Sequence, residues 1–286
     1  MSVLVVGAAG TVGTFVTRSL GWRGIDVRAS APDSAFAEVR GASVIINLSG
    51  PRVRQELVAS DYLREHVGIA ARIVRTMRPD THLVHVSSTS VFGRRGACLS
   101  ADALEDPSSF PFPDYAAAKL AAETYVRAEA PARGVRLTVL RPSMIYGEGI
   151  DSALATLLRA HRAHVPLALR PRRIRQHLTS GPLLLEALRT VVETPMGPSP
   201  LLIVDPFVLT NADLDPRSLL AAPVNVESFA KSAPARGRAA FWRNVVAVLG
   251  VDNEFESGPS FARMRLDPVR FGRDRVFTPY WQATGR

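Results

Sequence analysis

The fold is decided by one stretch near the start of the chain, Val3-Leu4-Val5-Val6-Gly7-Ala8-Ala9-Gly10-Thr11-Val12-Gly13. Its apolar run ends at glycine, as a buried parallel strand does, and a helix is predicted to follow from Thr11. Glycine permits the tight turn, and the free N–H groups at the helix start favour the negative charge of a pyrophosphate. Because the glycine triplet directly follows the first strand, it predicts a dinucleotide-binding loop.

Strands and helices alternate through the first half of the chain. The predicted strands cover residues 3–6, 25–29, 43–48, 82–86 and 135–140, and the predicted helices cover 11–20, 55–77 and 114–130. This alternation favours an α/β fold with a doubly wound, parallel, Rossmann-type sheet.

The pattern is looser after residue 149. Helices are predicted at 152–164, 182–192 and 238–249 and a strand at 201–204, whereas residues 252–286 show no clear period. We therefore predict a dinucleotide-binding Rossmann domain over residues 1–150. A smaller substrate-binding lobe is predicted over 151–286, with some of its segments returning to the sheet.

Composition narrows the classes of function. Of the 286 residues 47% are hydrophobic, which is enough for a full-sized core. The sequence has no membrane-spanning apolar run and no signal-peptide features at its start, and Cys98 is its only cysteine, so a soluble cytoplasmic protein is expected. The net charge of +9 comes from scattered arginines, which suit an anionic small molecule better than nucleic acid. The dispersed histidines show no ligand spacing, so no metal site is predicted.

Lysine is scarce in this chain. Of the 35 basic residues only Lys119 and Lys231 are lysine. Lys119 follows Tyr115 by four residues, which puts a phenol and an ammonium on one face of a predicted helix. The ammonium is expected to lower the pKa of Tyr115 and suit it to proton exchange with an alcohol or ketone. The alternative is an exposed aromatic–cation pair on an alanine-rich helix, against which the scarcity of lysine counts.

Hydroxyl side chains follow the strand at residues 82–86. The stretch Ser87-Ser88-Thr89-Ser90-Val91-Phe92-Gly93 lies at the predicted carboxyl edge of the sheet, where ligands bind in such folds. A hydroxyl there can donate a hydrogen bond to a substrate oxygen, and the alternative is a set of local turn contacts.

Five ordered segments together resemble the extended short-chain dehydrogenase/reductase family, in its nucleotide-sugar epimerase/dehydratase group. They are Gly7-x-x-Gly10-x-x-Gly13, Asn47-Leu48-Ser49-Gly50, the stretch from Ser87 to Gly93, Tyr115-x-x-x-Lys119, and Leu140-Arg141-Pro142-Ser143-Met144-Ile145-Tyr146-Gly147. The resemblance covers the first half of the chain and fades beyond it. It implies an NAD(P)-dependent ketoreductase or epimerase that acts on a carbonyl or secondary alcohol of a sugar-like, nucleotide-linked substrate.

The resemblance also implies roles for individual residues. Tyr115 is the acid/base, Lys119 holds the nicotinamide ribose and tunes Tyr115, and Ser88 polarises the substrate oxygen. The implied cofactor contacts besides Tyr115 and Lys119 are Gly7, Gly10, Thr11, Val12, Gly13, Ser30, Leu48, Ser49, Gly50, Ser87, Pro142, Ser143 and Met144. The implied substrate contacts are Thr89, Ser90, Tyr146 and Arg175. Members of this family often dimerise by helix packing, which here implies a homodimer through helices 55–77 and 114–130.

Arg175 has two interpretations. It begins a segment, 175–180, that resembles the part of the family in which an arginine meets the sugar-nucleotide diphosphate, and bidentate phosphate binding suits its guanidinium. Arg170, Arg172 and Arg173 stand nearby, so a generic basic loop is the alternative.

The cofactor type depends on the end of the second strand. No carboxylate stands at Ser30, Ala31 or Pro32, so the 2′-phosphate of NADP is not excluded, and Ser30 or Arg28 is available to contact it. We favour NADP over NAD. The short stretch before Ser43 leaves no room for the family's usual third strand.

Other departures from the family concern the site itself. His66 and Met144 stand where asparagine is frequent, and Phe92 replaces the usual tyrosine. Thr89 and Ser90 occupy the places of the Asp-Glu pair of sugar 4,6-dehydratases, so dehydration is not expected. Two alternatives stay open, a reductase of a non-sugar metabolite in the same fold and a non-catalytic dinucleotide-binding protein.

Overall fold

The computed structural model describes residues 1–53, 57–94, 98–163, 168–170, 172–214, 223–225, 245, 247, 249–250 and 252–285. Its first-half elements are β1 (Val3–Val6), α1 (Thr11–Leu20), β2 (Arg23–Ile25), α2 (Ala37–Gly41), β3 (Val44–Asn47), α3 (Ala59–Thr76), β4 (His82–Val86), β5 (Cys98–Leu99), α4 (Pro113–Ala132), β6 (Arg136–Pro142) and β7 (Ile145–Tyr146). The later elements are α5 (Ala153–Arg162), β8 (Ala168–Arg170), β9 (Arg175–Gln176), β10 (Thr179–Ser180), α6 (Gly181–Glu193), β11 (Leu201–Ile203), β12 (Leu209–Thr210), α7 (Asn211–Leu214), β13 (Pro223–Asn225), β14 (Glu254–Phe255), α8 (Gly258–Met264) and α9 (Arg273–Gly285).

A parallel sheet of six strands forms the centre of the described part of the chain. Its order is β2-β1-β3-β4-β6-β11, and every neighbouring pair is parallel. The chain passes from β2 on one side of β1 to β3 on the other. The carboxyl ends of β1 and β3 are therefore the topological switch point, where sheets of this kind bind ligands. The predicted α/β parallel sheet is confirmed.

Both faces of the sheet are buried, because alternate residues of each strand face opposite layers. In β1, Val5 belongs to a core cluster that includes Val16 of α1 and Leu184 of α6. Its neighbour Val6 belongs to the opposite cluster, which includes Ile69 of α3. Burial on two faces explains why these strands read as continuous apolar runs in the sequence.

The second half of the chain takes part in this layered core. β11 pairs with β6 at the sheet edge, and α6 packs on the same face as α1. Short strand pairs, β7–β10, β9–β12, β8–β13 and β5–β14, link the remaining described segments. A further apolar cluster unites Tyr146 and Leu154 with Phe277 of α9.

The prediction for the second strand is wrong in its bounds. β2 spans residues 23–25 and not 25–29, because backbone groups beyond Ile25 form hydrogen bonds with side chains and not with a neighbouring strand. Arg72 of α3 donates to the carbonyl oxygens of Ala29 (3.0 Å) and Ala31 and pairs with Asp33 at 2.7 Å. Carbonyls that a further strand would use are thus bonded to α3, and residues 26–43 contain no strand.

The other predicted elements have mixed outcomes. The strand at residues 3–6, the helix at 11–20 and the strand at 82–86 have the predicted bounds, and α6 and β11 match their predictions within one residue. The helix predicted at 55–77 begins at residue 59 within the described ranges. The helix predicted at 238–249 and Lys231 lie wholly or mostly outside the described residues. α9 was not predicted. No helix in the described ranges is both long and apolar enough to cross a membrane.

Candidate active site

The glycine loop joins β1 to α1 at the switch point of the sheet. Gly7 has a φ of +91° and its N–H donates to the Ile25 oxygen at 2.9 Å. A Cβ on Gly13 would lie 2.0 Å from the Gly7 carbonyl oxygen, so only glycine lets α1 start this close to the loop. The Thr14 N–H makes the first helical bond, to Gly10 at 2.8 Å. The N–H groups of Thr11, Val12 and Gly13 therefore have no earlier helical carbonyl and point out of the helix end.

A second loop, after β3, lies directly against the glycine loop. A Cβ on Gly7 would approach the backbone of Leu48 and Ser49 to 2.8 Å. The Asn47 side chain holds this loop, since its Oδ1 accepts from the Ser49 N–H at 3.1 Å and from the Ser49 hydroxyl. Its Nδ2 contacts the Nδ1 of His85 on β4 at 3.2 Å. The predicted cofactor residues of the two loops are thus neighbours.

The predicted 2′-group contacts stand apart from the paired part of β2. Arg28 and Ser30 are both exposed in the segment that follows Ile25. Asp26 lies inside the strand predicted over residues 25–29, but in the structure it directly follows the shorter β2 and is also exposed.

Ser88, Tyr115 and Lys119 meet where β4 ends beside α4. Tyr115 lies in the first turn of α4, and Lys119 lies one turn later and is 8% exposed. The Lys119 Nζ donates to the Val86 oxygen of β4 at 3.2 Å. The Ser88 Oγ accepts from the Ser90 N–H at 3.1 Å, which leaves its O–H free to donate towards Tyr115.

Burial sets the proton affinities of these groups. It raises the pKa of Tyr115 to about 12, against the opposing hydrogen bond from Ser88. It lowers the pKa of Lys119 to about 8. Lys119 was expected to lower the pKa of Tyr115, but the pKa is raised, because desolvation of the phenolate outweighs the favourable interactions. Tyr115 is therefore a neutral phenol at neutral pH.

Two aromatic side chains of α3 surround Tyr115 and were not predicted. Tyr62 and His66 each meet the Tyr115 ring edge-to-face, with centroids 5.8 Å and 5.6 Å away. The signal was present in the sequence, because Tyr62 and His66 are four residues apart and so share one helix face. His66 had been noted only as a departure from the family.

The remaining predicted site residues after β4 and β6 are either buried or half-buried. Thr89 and Ser90 are buried in the turn after Ser88, Pro142 is buried at the end of β6, and Ser143 and Met144 are half-buried. The hydroxyls of Ser87 and Ser90 are buried without a hydrogen-bond partner in the described part of the chain.

Tyr146 and Arg175 have partners inside the protein. The Tyr146 hydroxyl is 2.8 Å from the Asp205 carboxylate, and the Tyr146 side chain is buried. The Arg175 guanidinium pairs with Glu254 at 2.5 Å and lies 3.7 Å from Asp252. Among the described residues, no group of three His, Cys, Asp or Glu side chains is placed to hold a metal ion.

Three solved structures illustrate the likeness of this fold to known proteins. MoeE5 in complex with UDP-glucose and NAD aligns with a TM-score of 0.74 and 20% identity over 99% of this chain and 98% of its own. UDP-glucuronic acid 4-epimerase from Bacillus cereus aligns with a TM-score of 0.71 and 14% identity over both full chains. The human epimerase family protein SDR39U1 with NADPH aligns with a TM-score of 0.75 and 16% identity over 99% of each chain. Identities this low show a shared fold alone.

Sequence comparison gives the family. No curated protein sequence matches the chain significantly. A sequence model of the NAD dependent epimerase/dehydratase family matches residues 3–173, more than half of the chain, which confirms the resemblance found in the sequence. The chain belongs to the NAD-dependent epimerase/dehydratase family.

Proposed function

We propose that the chain is an NAD(P)-dependent ketoreductase or epimerase that acts on a carbonyl or secondary alcohol of a sugar-like, nucleotide-linked substrate. The observation that carries the proposal is a continuous line of contacts from the glycine loop to Tyr115. Gly7 packs on Ser49, Gly50 packs on His66, and His66 meets Tyr115. A dinucleotide held at the loop would therefore extend towards the acid/base.

The residues at the switch point fit a dinucleotide. The outward N–H groups at the start of α1 suit a pyrophosphate. Among the described residues beyond the chain neighbours of Gly10, a Cβ there would meet only the Gly7 oxygen, at 3.3 Å, so the loop surface is otherwise open to these residues. The proposed cofactor contacts are Gly7, Gly10, Thr11, Val12, Gly13, Ser30, Leu48, Ser49, Gly50, Ser87, Tyr115, Lys119, Pro142, Ser143 and Met144.

The acid/base chemistry follows from the protonation states. When bound, a nicotinamide supplies or accepts the hydride. Tyr115, a neutral phenol at neutral pH, gives its proton to the carbonyl oxygen during reduction and takes a proton back during oxidation. With substrate bound, the Ser88 O–H, which points towards Tyr115 in this structure, donates its hydrogen bond to the same carbonyl oxygen. Lys119 uses one donor on the Val86 oxygen and keeps its others for the ribose hydroxyls of the cofactor.

NADP is favoured by the segment after β2. Arg28 and Ser30 are exposed there and can contact a 2′-phosphate, and the competing contact is Asp26, directly after β2, because a carboxylate at that position binds the ribose 2′-hydroxyl of NAD. The Arg28→Ala variant should weaken binding of NADPH and leave binding of NADH unchanged. An equal loss for both cofactors would remove the 2′-phosphate role of Arg28.

A second candidate is a reductase of a carbonyl compound that carries no nucleotide. It is favoured by the ion pair of Arg175 with Glu254, which occupies the guanidinium that the resemblance assigns to the diphosphate. Screening nucleotide-linked keto sugars beside simple ketones separates the two candidates.

The proposed function is tested first by titrating the protein with NADPH and NADH while following nicotinamide fluorescence. Tyr115→Phe should then retain cofactor affinity and lose turnover by roughly 10²–10⁴-fold, the contribution of a positioned general acid. Turnover retained by Tyr115→Phe would contradict the assignment of Tyr115 as the acid/base. Binding of neither cofactor by folded protein would exclude a dinucleotide enzyme altogether.

A further inference from the structure

His66 lies between the acid/base and the loop that follows β3. It is 3% exposed on α3, and its ring stands edge-to-face to Tyr115, with a centroid distance of 5.6 Å and an interplanar angle of 74°. On its other side the His66 Nε2 is 3.2 Å from the Pro51 carbonyl oxygen. One imidazole thus contacts both the reacting phenol and a loop proposed to hold the cofactor.

The loop is shaped to receive this ring. Gly50 has a φ of +101°, and a Cβ there would lie 2.1 Å from the His66 Nδ1. Glycine is therefore required both by the backbone conformation and by the imidazole that occupies the side-chain position. Because ring and loop fit closely, a displacement of either one moves the other.

The surroundings keep this imidazole neutral. Burial of His66, together with the Lys119 ammonium nearby, holds the pKa of this imidazole well below its usual value despite the Pro51 and Ser49 carbonyls. A neutral imidazole carries one N–H, which reaches the Pro51 oxygen when it is on Nε2, and the Ser49 carbonyl is a second acceptor beside the ring, so the loop accepts the proton in either tautomer. The ring is then a fixed donor to the loop and not a proton carrier.

We propose that His66 is a positioning residue that ties the cofactor loop to Tyr115, so that one side chain sets both cofactor affinity and the placement of the acid/base. The inference rests on the proposed function. His66 acts through Pro51 on the loop and through ring contact on Tyr115.

Two variants separate the two contacts. Gln places its amide nitrogen near the position of the histidine Nε2, so His66→Gln keeps a donor for the Pro51 oxygen and loses the ring beside Tyr115. His66→Leu loses both. Ile73→Val, a cavity-forming change on the same helix and away from the site, is the matched control for a general loss of stability.

The measurements are the Kd for NADPH, kcat and KM with the substrate found in the carbonyl screen, and the Tm of each variant. His66→Gln should keep the Kd within about twofold while kcat falls roughly tenfold, the scale of a lost aromatic contact. His66→Leu should lose kcat similarly and also raise the Kd roughly fivefold, the scale of a lost hydrogen bond. Ile73→Val should lower the Tm alone.

The outcomes distinguish this inference from the proposed function. If wild-type protein binds no dinucleotide or reduces no carbonyl compound, the proposed function fails, and the inference fails with it. If wild type is active and folded His66→Leu keeps both its Kd and its kcat within twofold, the inference alone is overturned. It is also overturned if Gln and Leu variants share one Kd, because a donor to Pro51 would then have no effect.

Discussion

Replacing Glu123 with glutamine is expected to destabilise the protein strongly. Glu123 lies on α4, one turn after Lys119, and its side chain is 1% exposed. Its two oxygens accept from the Nη2 and Nε of Arg141 at 2.7 Å and 3.0 Å. Arg141 is fully buried on β6 and also pairs with Glu105 at 2.6 Å. This cluster attaches the helix that carries Tyr115 to β6 of the sheet.

The magnitude follows from which charge is left behind. Breaking a buried ion pair by removing one partner costs about 3–5 kcal/mol, because the remaining charge stays buried without compensation. Glutamine keeps one acceptor oxygen and Glu105 keeps its bond, so we expect about 3 kcal/mol for Glu123→Gln. For chains of about this size each kcal/mol lowers the Tm by roughly 2–4 °C, so the Tm should fall by roughly 6–12 °C. Glu105 is 29% exposed, and Glu105→Gln should cost only about 1 kcal/mol.

Calorimetry and urea unfolding at neutral pH measure both effects. The double variant Glu123→Gln with Arg141→Met removes both charges, so it should be less destabilised than the sum of the two single variants. A Glu123→Gln variant that melts within about 2 °C of wild type would refute the reasoning, since no buried charge would then depend on Glu123.

Three further predictions concern the site and its support. Burial lowers the pKa of Lys119 to about 8, so Lys119 loses its charge, and NADPH affinity should fall, as the pH rises through 8. Lys119→Met should bind NADPH weakly at every pH, without this fall. A wild-type affinity that does not depend on pH would contradict the prediction. Gly13→Ala puts a Cβ 2.0 Å from the Gly7 oxygen and should abolish NADPH binding. The control is Gly41→Ala, which should not, because no atom of the described residues lies within 4 Å of the added Cβ. Equal NADPH affinities of the two variants in fluorescence titration would contradict a cofactor site at the glycine loop. Burial raises the pKa of Asp205 from 3.8 unfolded to about 6 folded, so this group lowers stability by about 3 kcal/mol above pH 6 and by nothing below pH 4. The free energy of unfolding, measured with urea at pH 4 and pH 7, should therefore change less between the two pH values in Asp205→Asn than in wild type. The same pH dependence in both proteins would disprove the prediction.

The central strands and long helices of the first half, apart from β2, were predictable because their signals are local. Strands buried on both faces read as apolar runs, and α1 ends where expected because Gly21 adopts the left-handed conformation, with a φ of +68°. The order Tyr115 before Lys119 needed only helical spacing. Such features depend on residues within a few positions of one another.

Features that depend on distant partners were not predictable. The sequence after Ile25 alternates apolar and polar residues like a strand, yet Arg72, more than 40 residues later, donates to the Ala29 and Ala31 carbonyls. α9 carries Pro279 within the helix and lacks a clean apolar period, and its Phe277 packs against Tyr146 and Phe207, which are distant along the chain. Neither contact is visible to a reading of neighbouring residues.

The same distinction shows where substrate specificity is to be sought. Tyr146 and Arg175 matched a family pattern, but Asp205 and Glu254, which engage them, lie far along the chain. Ser87 and Ser90 are in the opposite situation, since their buried hydroxyls have no partner among the described residues. A buried unpaired hydroxyl costs about 1–3 kcal/mol, a cost that persists in native proteins chiefly where a ligand or water completes the bond. Within the proposed function, the Ser87 and Ser90 hydroxyls are therefore better candidates than Arg175 for hydrogen bonds that select the bound molecule.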